Sequence, residues 1–372
     1  MNRCDGDNNT NWQPPRYNLR PRRAPFQAYN STGLTRPRGS NYHHKTNVYA
    51  RGDEQNIPPL QTPIPRPRFT QPLQTTVAQP TVPQTTVPPV NHFNSVIAGL
   101  LLKKGIDISE GSKIGSGRYS KVITAKLTNS NHTIAIKIID KSQVADDFRT
   151  KFLPRELEIW QQLKHENLVQ LYAIYTYESR VLIVNEFGKM GNLLTHVLCN
   201  GATPEPIGVK WAEQILCGVK YLHEKNIAHR DIKLENVIIF DDGSVKIGDF
   251  GFSRMLEPQE LSETYCGSKS YIAPEVLSGR PYNPLKSDVW SVGAVFFVMM
   301  TNRMPFSENQ SNQSLMEAQR QRTYNYPPQL TISNECKSTI DSLMTFDPFR
   351  RPTIQKAFSL PWIRAFLLSQ KA

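Results

Sequence analysis

Asp231, Lys233 and Asn236 lie close together in His229-Arg230-Asp231-Ile232-Lys233-Leu234-Glu235-Asn236, and Asp249 follows in Asp249-Phe250-Gly251. An aspartate at Asp231 can orient a hydroxyl and accept its proton. A lysine two positions on can neutralise a phosphoryl group in transit. The Asn236 carbonyl and the Asp249 carboxylate are hard oxygen ligands suited to Mg²⁺. Together these groups could move the γ-phosphoryl of ATP onto a hydroxyl. Either string alone recurs by chance in a chain of 372 residues, whereas their order and short spacing do not.

Such chemistry needs an upstream element to hold the phosphates. Ser109 to Val122 reads as a strand, a glycine-bearing turn and a second strand. Gly115 and Gly117 would let backbone N–H groups approach phosphate oxygens where a Cβ would intrude. Ser120 stands where a third glycine would complete G-x-G-x-x-G, so the turn alone also fits an ordinary hairpin. Ile134-Ala135-Ile136-Lys137 adds an apolar strand carrying one lysine. A lysine on a buried strand is costly unless paired, and a phosphate plus a carboxylate would pair it. Glu156 lies 19 positions after Lys137, on a helix that Pro154 starts; Glu158 is the alternative partner.

Residues 181–187 predict a buried strand running into a connecting hinge whose backbone would meet the adenine. Asn185 at its end is polar and needs a partner. A bond to neighbouring backbone is the plainer expectation there, ahead of a special nucleotide preference. Apolar spacing predicts a helix over 211–224 leading into the Asp231 loop.

Composition divides the chain. Of 28 prolines, 15 lie at or before Pro89, and residues 1–92 carry 11 Lys/Arg against Asp5, Asp7, Asp53 and Glu54. The apolar residues there are sparse and aperiodic, so a disordered basic arm is expected, taken to residue 105. Two copies of Gln-Thr-Thr-Val, at 74–77 and 84–87, resemble an extended linker. The five cysteines lack metal-ligand spacing and suit reduced thiols in an intracellular protein. The N-terminus has no apolar signal core, and the longest apolar run, 292–300, is short of a bilayer span. No membrane partner is expected, and the location is expected to be cytoplasmic, with nuclear access through the basic cluster at 16–23.

From the first motif to the last, residues 109–366 resemble a eukaryotic serine/threonine protein kinase. A-I-K-I-I-D-K at 135–141, K-F-L-P-R-E-L-E-I at 151–159, E-T-Y-C-G-S at 263–268 and A-P-E-V-L-S-G-R-P-Y at 273–282 look like the testis-specific serine kinases of the calcium/calmodulin-dependent group. The resemblance implies an α+β bilobal kinase domain over 106–366. Its β-rich small lobe, with one major helix, would run to about 187, and a helical large lobe would follow. ATP would then be held by Ile114, Gly115, Ser116, Gly117, Val122, Ala135 and Lys137, by the hinge at Glu186, Phe187 and Gly188, and by Ile238. Asn236 and Asp249 would hold Mg²⁺, and a Lys137–Glu156 pair would mark the active state. Ser268 would contact Asp231 and Lys233, and Asp288 would support the catalytic loop. Glu275 would pair with Arg351, ahead of Arg350. Thr264 would take a phosphate that Arg230 grips. Lysine at 233 is the serine/threonine pattern.

Departures from the pattern carry their own expectations. Trp160 replaces a leucine that stacks in the regulatory spine and needs extra room. Asn192 and Val298 stand where arginine-directed relatives place acids, leaving Glu235, so a strong basic preference in substrates is not expected. Lys269 replaces a proline beside the acceptor site, and Cys266 reads as part of the local string. The chain stops at Ala372, just after its last helix, so no calmodulin-binding tail is expected. The partners expected are proteins bearing Ser or Thr and an upstream activating kinase; the chain is expected to be monomeric, and nucleic acid is not expected. Two rivals stand beside this reading: a pseudokinase scaffold, and a kinase whose arginine-rich arm binds a polyanion.

Overall fold

The computed structural model describes residues 95–116, 120–130, 132–146 and 148–371. The expected arm up to residue 94, and Gly117 of the phosphate turn, lie outside them.

The small lobe is an antiparallel sheet built from β1 (Ile106–Asp107), β2 (Lys113–Ser116), β3 (Ser120–Leu127), β4 (Thr133–Asp140), β5 (Leu171–Tyr177) and β6 (Arg180–Glu186). The strands run in the order β1-β3-β4-β6-β5, with β2 paired to β3. The period-2 alternation of β4 gives the sheet two apolar faces. Ile134, Ile136 and Ile138 join Leu182 and Val184 on the outer face, whereas Ile139, Val181 and Ile183 belong to the inner core.

A helix, α1 (Ser95–Lys103), covers the outer face with Ile97 and Leu101, both buried. This corrects the expected arm boundary at residue 105: Ile97 and Leu101 are one helical turn apart and find apolar partners on the sheet, so residues 95–105 belong to the folded unit.

Against the inner face packs α2 (Leu153–Gln161), entered through a π-helical turn at Phe148–Phe152 and with Pro154 in its first turn. Glu156, Ile159 and Trp160 are its buried residues beside Leu153.

The large lobe is mainly helical: α3 (Leu193–Asn200), α4 (Glu205–Glu224), α5 (Pro274–Leu277), α6 (Pro284–Thr301), α7 (Asn312–Gln321), α8 (Asn334–Leu343), α9 (Ile354–Ala357) and α10 (Pro361–Ser369). Its central α6 is buried along almost its whole length and is capped by Asn283, whose side chain accepts from the Leu285 and Lys286 amides. Short strands frame the loops between the helices. β7 (Ile227–Ala228) pairs with β10 (Arg254–Met255), and β8 (Val237–Ile239) pairs with β9 (Val245–Ile247). One apolar core runs from the inner sheet face through α2 into the large lobe. Among the described residues no helix is long and apolar enough to cross a membrane.

Candidate active site

On β4, Lys137 points to the inner side of the sheet and meets two carboxylates. Its Nζ donates to Glu156 Oε1 at 3.0 Å and to Asp249 Oδ1 at 2.9 Å. Glu156, on the buried side of α2, is the partner; Glu158 lies two positions on and is exposed. Removal from water pulls the Lys137 amine's pKa down, but Asp249 and Glu156 outweigh that and hold it raised. The same ammonium, working against desolvation, holds the Asp249 carboxyl down to about 2. Both groups are therefore charged at neutral pH.

Phe250 is fully buried, with its ring 5.4 Å from Trp160 and 5.5 Å from His229. The indole of Trp160 donates through Nε1 to the Val169 carbonyl at 2.9 Å. Beside these groups opens a cleft of about 380 Å³, lined by Lys137, Glu156 and Asp249 and by Ser120, Ile139, Phe148, Phe152 and Phe252. The three phenylalanines escaped sequence reading because neither their spacing nor a motif marks them.

The strand residues expected at the nucleotide are set by sheet register. Ala135 of β4 is opposite Asn185 of β6, and Gly115 of β2 is opposite Val122 of β3. A Cβ on Gly188 would strike Ile238 Cγ2 and sit 2.7 Å from the Ile239 carbonyl, so only glycine lets the hinge lie this close to β8. Ile114 is exposed, as is Ser116 beside it. The Glu186 side chain is turned to other work: it accepts from the Gln170 amide at 2.6 Å and from Lys246 Nζ at 2.7 Å. Asn185 Nδ2 donates to the Glu186 carbonyl at 2.9 Å, the neighbouring-backbone bond expected of it.

At the other end, Asp231 Oδ1 accepts from both the amide and the hydroxyl of Ser268, each at 3.0 Å. Lys233 Nζ bridges Asp231 Oδ2 at 2.8 Å and Ser268 Oγ at 2.9 Å. Asn236 Nδ2 donates to the Asp231 carbonyl at 2.9 Å, which leaves Oδ1 as the end of the amide that a cation can use. Among the described residues no group of three or more His, Cys, Asp or Glu side chains could hold a metal. The oxygens of Asn236 and Asp249 would suit a hard cation such as Mg²⁺. Gly267, at φ +99, brings the 263–268 stretch against the Arg230 carbonyl, where a Cβ would sit 2.7 Å away.

Support for this loop comes from Asp288 on α6. Its Oδ1 accepts from the Arg230 amide at 2.8 Å and its Oδ2 from the His229 amide at 2.9 Å. The His223 ring completes the grip at 3.0 Å, a contact across 65 positions that no local pattern marks. Arg351 forms a two-pronged pair with Glu275, at 2.6 and 2.9 Å, and Arg350 takes no part in it.

Arg230 itself has φ 65° and donates through Nε to the Phe252 carbonyl at 2.7 Å. Its buried NH1 has no partner among the described residues. Thr264 is exposed and shares no hydrogen bond with Arg230; its carbonyl accepts from the Tyr282 hydroxyl at 2.9 Å. Burial pushes the Cys266 thiol pKa up, away from the reactive thiolate. Of the positions weighed for substrate charge, Asn192 is a helix cap whose side chain accepts from the Thr195 amide at 2.9 Å, and Val298 is buried in α6.

A lysine–glutamate pair on a curved sheet and its helix, facing an aspartate–lysine–asparagine loop, defines a class of phosphoryl-transfer enzyme. The protein kinase domain family matches residues 108–363, and the chain belongs to that family. It is a serine/threonine protein kinase. It is 37% identical over 272 residues to testis-specific serine/threonine-protein kinase 4 of Homo sapiens, covering 69% of this chain and 82% of that one. To testis-specific serine/threonine-protein kinase 2 of Mus musculus it is 36% identical over 273 residues, covering 72% and 75%. Kinase 3 of the same set, also from Mus musculus, is 37% identical over 266 residues, covering 71% and 97%.

Proposed function

We propose that the chain transfers the γ-phosphoryl of Mg²⁺-bound ATP to serine and threonine hydroxyls of protein substrates, under control of a phosphate on Thr264. The observation that carries this reading is the Asp231–Lys233–Ser268 knot, standing with Asn236 and Asp249 on one side of a charged Lys137–Glu156 pair. ATP supplies the phosphoryl group, and Mg²⁺ screens its charge. Asp231 orients the acceptor hydroxyl and takes its proton, while Lys233 offsets charge on the phosphoryl oxygens. Lys137, fixed by Glu156, would meet the phosphates, and Asn236 and Asp249 would hold the cation.

Support for the regulatory half is the buried Arg230 NH1, which has no partner among the described residues and is a cationic donor suited to a phosphate oxygen. An upstream kinase would add that phosphate to the exposed Thr264. The testis-specific names of the relatives suggest a role in sperm development, and the basic cluster at 16–23 suggests a cytoplasmic protein with access to the nucleus.

The test is transfer of label from Mg·ATP to a degenerate serine/threonine peptide array, by the full chain and by Lys137→Met. Transfer by the full chain alone is expected. An inactive full chain, even when phosphorylated on Thr264, would favour a scaffold that binds partners without chemistry. The array also reads substrate charge, since no acid stands at Asn192 or Val298 to select basic side chains.

A further inference from the structure

Arg254, on β10, forms an ion pair with Glu260, six residues further along the chain. The two side chains are 28% and 25% exposed, so the pair is better shielded than an ordinary surface contact. To make it, the chain reverses over 257–260. Pro258 takes the first corner of the turn and Gln259 the second, at φ 64°, a conformation that favours glycine. The turn is closed from both sides. The Glu260 amide donates to the Glu257 carbonyl at 3.0 Å, and Glu260 Oε2 accepts from the Glu257 amide at 2.9 Å. A residue in such a conformation persists only where its surroundings hold it, and here the holding contacts are those of Glu260.

The place of Arg254 gives the pair its reach. β10 pairs with β7, Arg254 opposite Ala228, and β7 runs straight into His229-Arg230-Asp231. On its other side β10 faces α2, where Arg254 and Met255 share a cavity of about 220 Å³ with Arg155 and Ile159 of the helix that carries Glu156. Beyond Glu260, Ser262 is buried and exchanges backbone bonds with Tyr282 at 2.8 and 2.9 Å, and Ser268 reaches Asp231. Among the described residues no other ion pair holds the chain from 256 to 268. This one is made with the chain's own carboxylate, so it needs no modification to form.

We propose that Glu260 is a positioning residue for phosphoryl transfer: through Arg254 it holds the segment that presents Ser268 to Asp231, and so sustains a basal turnover before any phosphate is on Thr264. This rests on the transfer reading above and adds to it the group that keeps the site assembled in the unmodified chain.

The test uses the full chain carrying Thr264→Ala, in which no phosphate can form at that position, with the peptide labelled best on the array as acceptor. Glu260→Gln keeps an oxygen for the Glu257 amide and removes only the charge. It is expected to lower kcat roughly 3- to 10-fold, the worth of one partly buried ion pair, with KM for ATP unmoved. Arg254→Gln should do the same, and the double variant should fall no further than either single one, because both remove the same interaction. An unchanged kcat in a folded Glu260→Gln chain overturns the proposal. So do losses that add in the double variant, which would mean that Glu260 does not act through Arg254, and so does a risen KM for ATP with kcat intact. If the Thr264→Ala chain labels no peptide and the chain phosphorylated on Thr264 does, the transfer reading stands and the proposal is overturned; if neither does, both fall.

Discussion

Trp160 of α2 lies with its ring 5.4 Å from that of Phe250 while its indole nitrogen donates to the Val169 carbonyl at 2.9 Å. One side chain thus ties the helix that carries Glu156 both to the residue after Asp249 and to the chain entering β5. Trp160→Ala should cost about 3–5 kcal/mol, as large core truncations do. Trp160→Leu, which keeps apolar volume and loses only the N–H, should cost less. Urea unfolding of the two variants reads this directly, and an unmoved midpoint for the alanine variant would mean that the ring is not packed.

Arg351 has a side chain with no solvent exposure and donates to the carbonyls of Thr345 and Lys286 as well as to Glu275. Arg351→Ala leaves the Glu275 carboxylate in a buried site without its counter-charge, a loss of about 3–5 kcal/mol. Arg351→Lys should recover little, because an ammonium cannot reproduce the two-pronged contact. Thermal melts of both variants check the ranking, and full rescue by lysine would contradict it.

Phosphorylation on Thr264 should raise activity, and Thr264→Ala should abolish that rise. Arg230→Ala should remove the dependence on the phosphate, since the group that would grip it is gone. The measurement is peptide phosphorylation before and after treatment with an activating kinase, with the site confirmed by mass spectrometry. Activation that survives Thr264→Ala would place the switch elsewhere.

Truncation separates the arm from α1. A chain starting at residue 95 should melt where the full chain does. One starting at 106 bares Ile134, Ile136 and Ile138 on the outer sheet face and should melt much lower. Leu101→Ala alone should cost about 2–5 kcal/mol. Equal melting of the two truncations would show that α1 contributes no packing.

The site was legible where the chemistry dictates residue type over short spacing. Asp231, Lys233, Asn236 and Asp249 read directly from sequence, and Lys137 with Glu156 followed from the cost of burying a lone ammonium. α1 was not legible, because two buried residues on a nine-residue helix beside a proline-rich stretch make too short a periodic signal. Its Val96, Leu100 and Leu102 are exposed and blur the pattern further. His223 at Asp288 is a contact of tertiary structure alone. Asn192 reads as a substrate position by comparison with relatives, yet its oxygen is spent on a helix end.

The Asp288 grip has a kinetic consequence. The two amide protons it accepts, on His229 and Arg230, are anchored to a helix buried almost end to end. They can exchange with deuterium only when that helix opens, and its opening is the opening of the large lobe. The loop bearing the reactive aspartate therefore belongs to the slowest-exchanging part of the molecule.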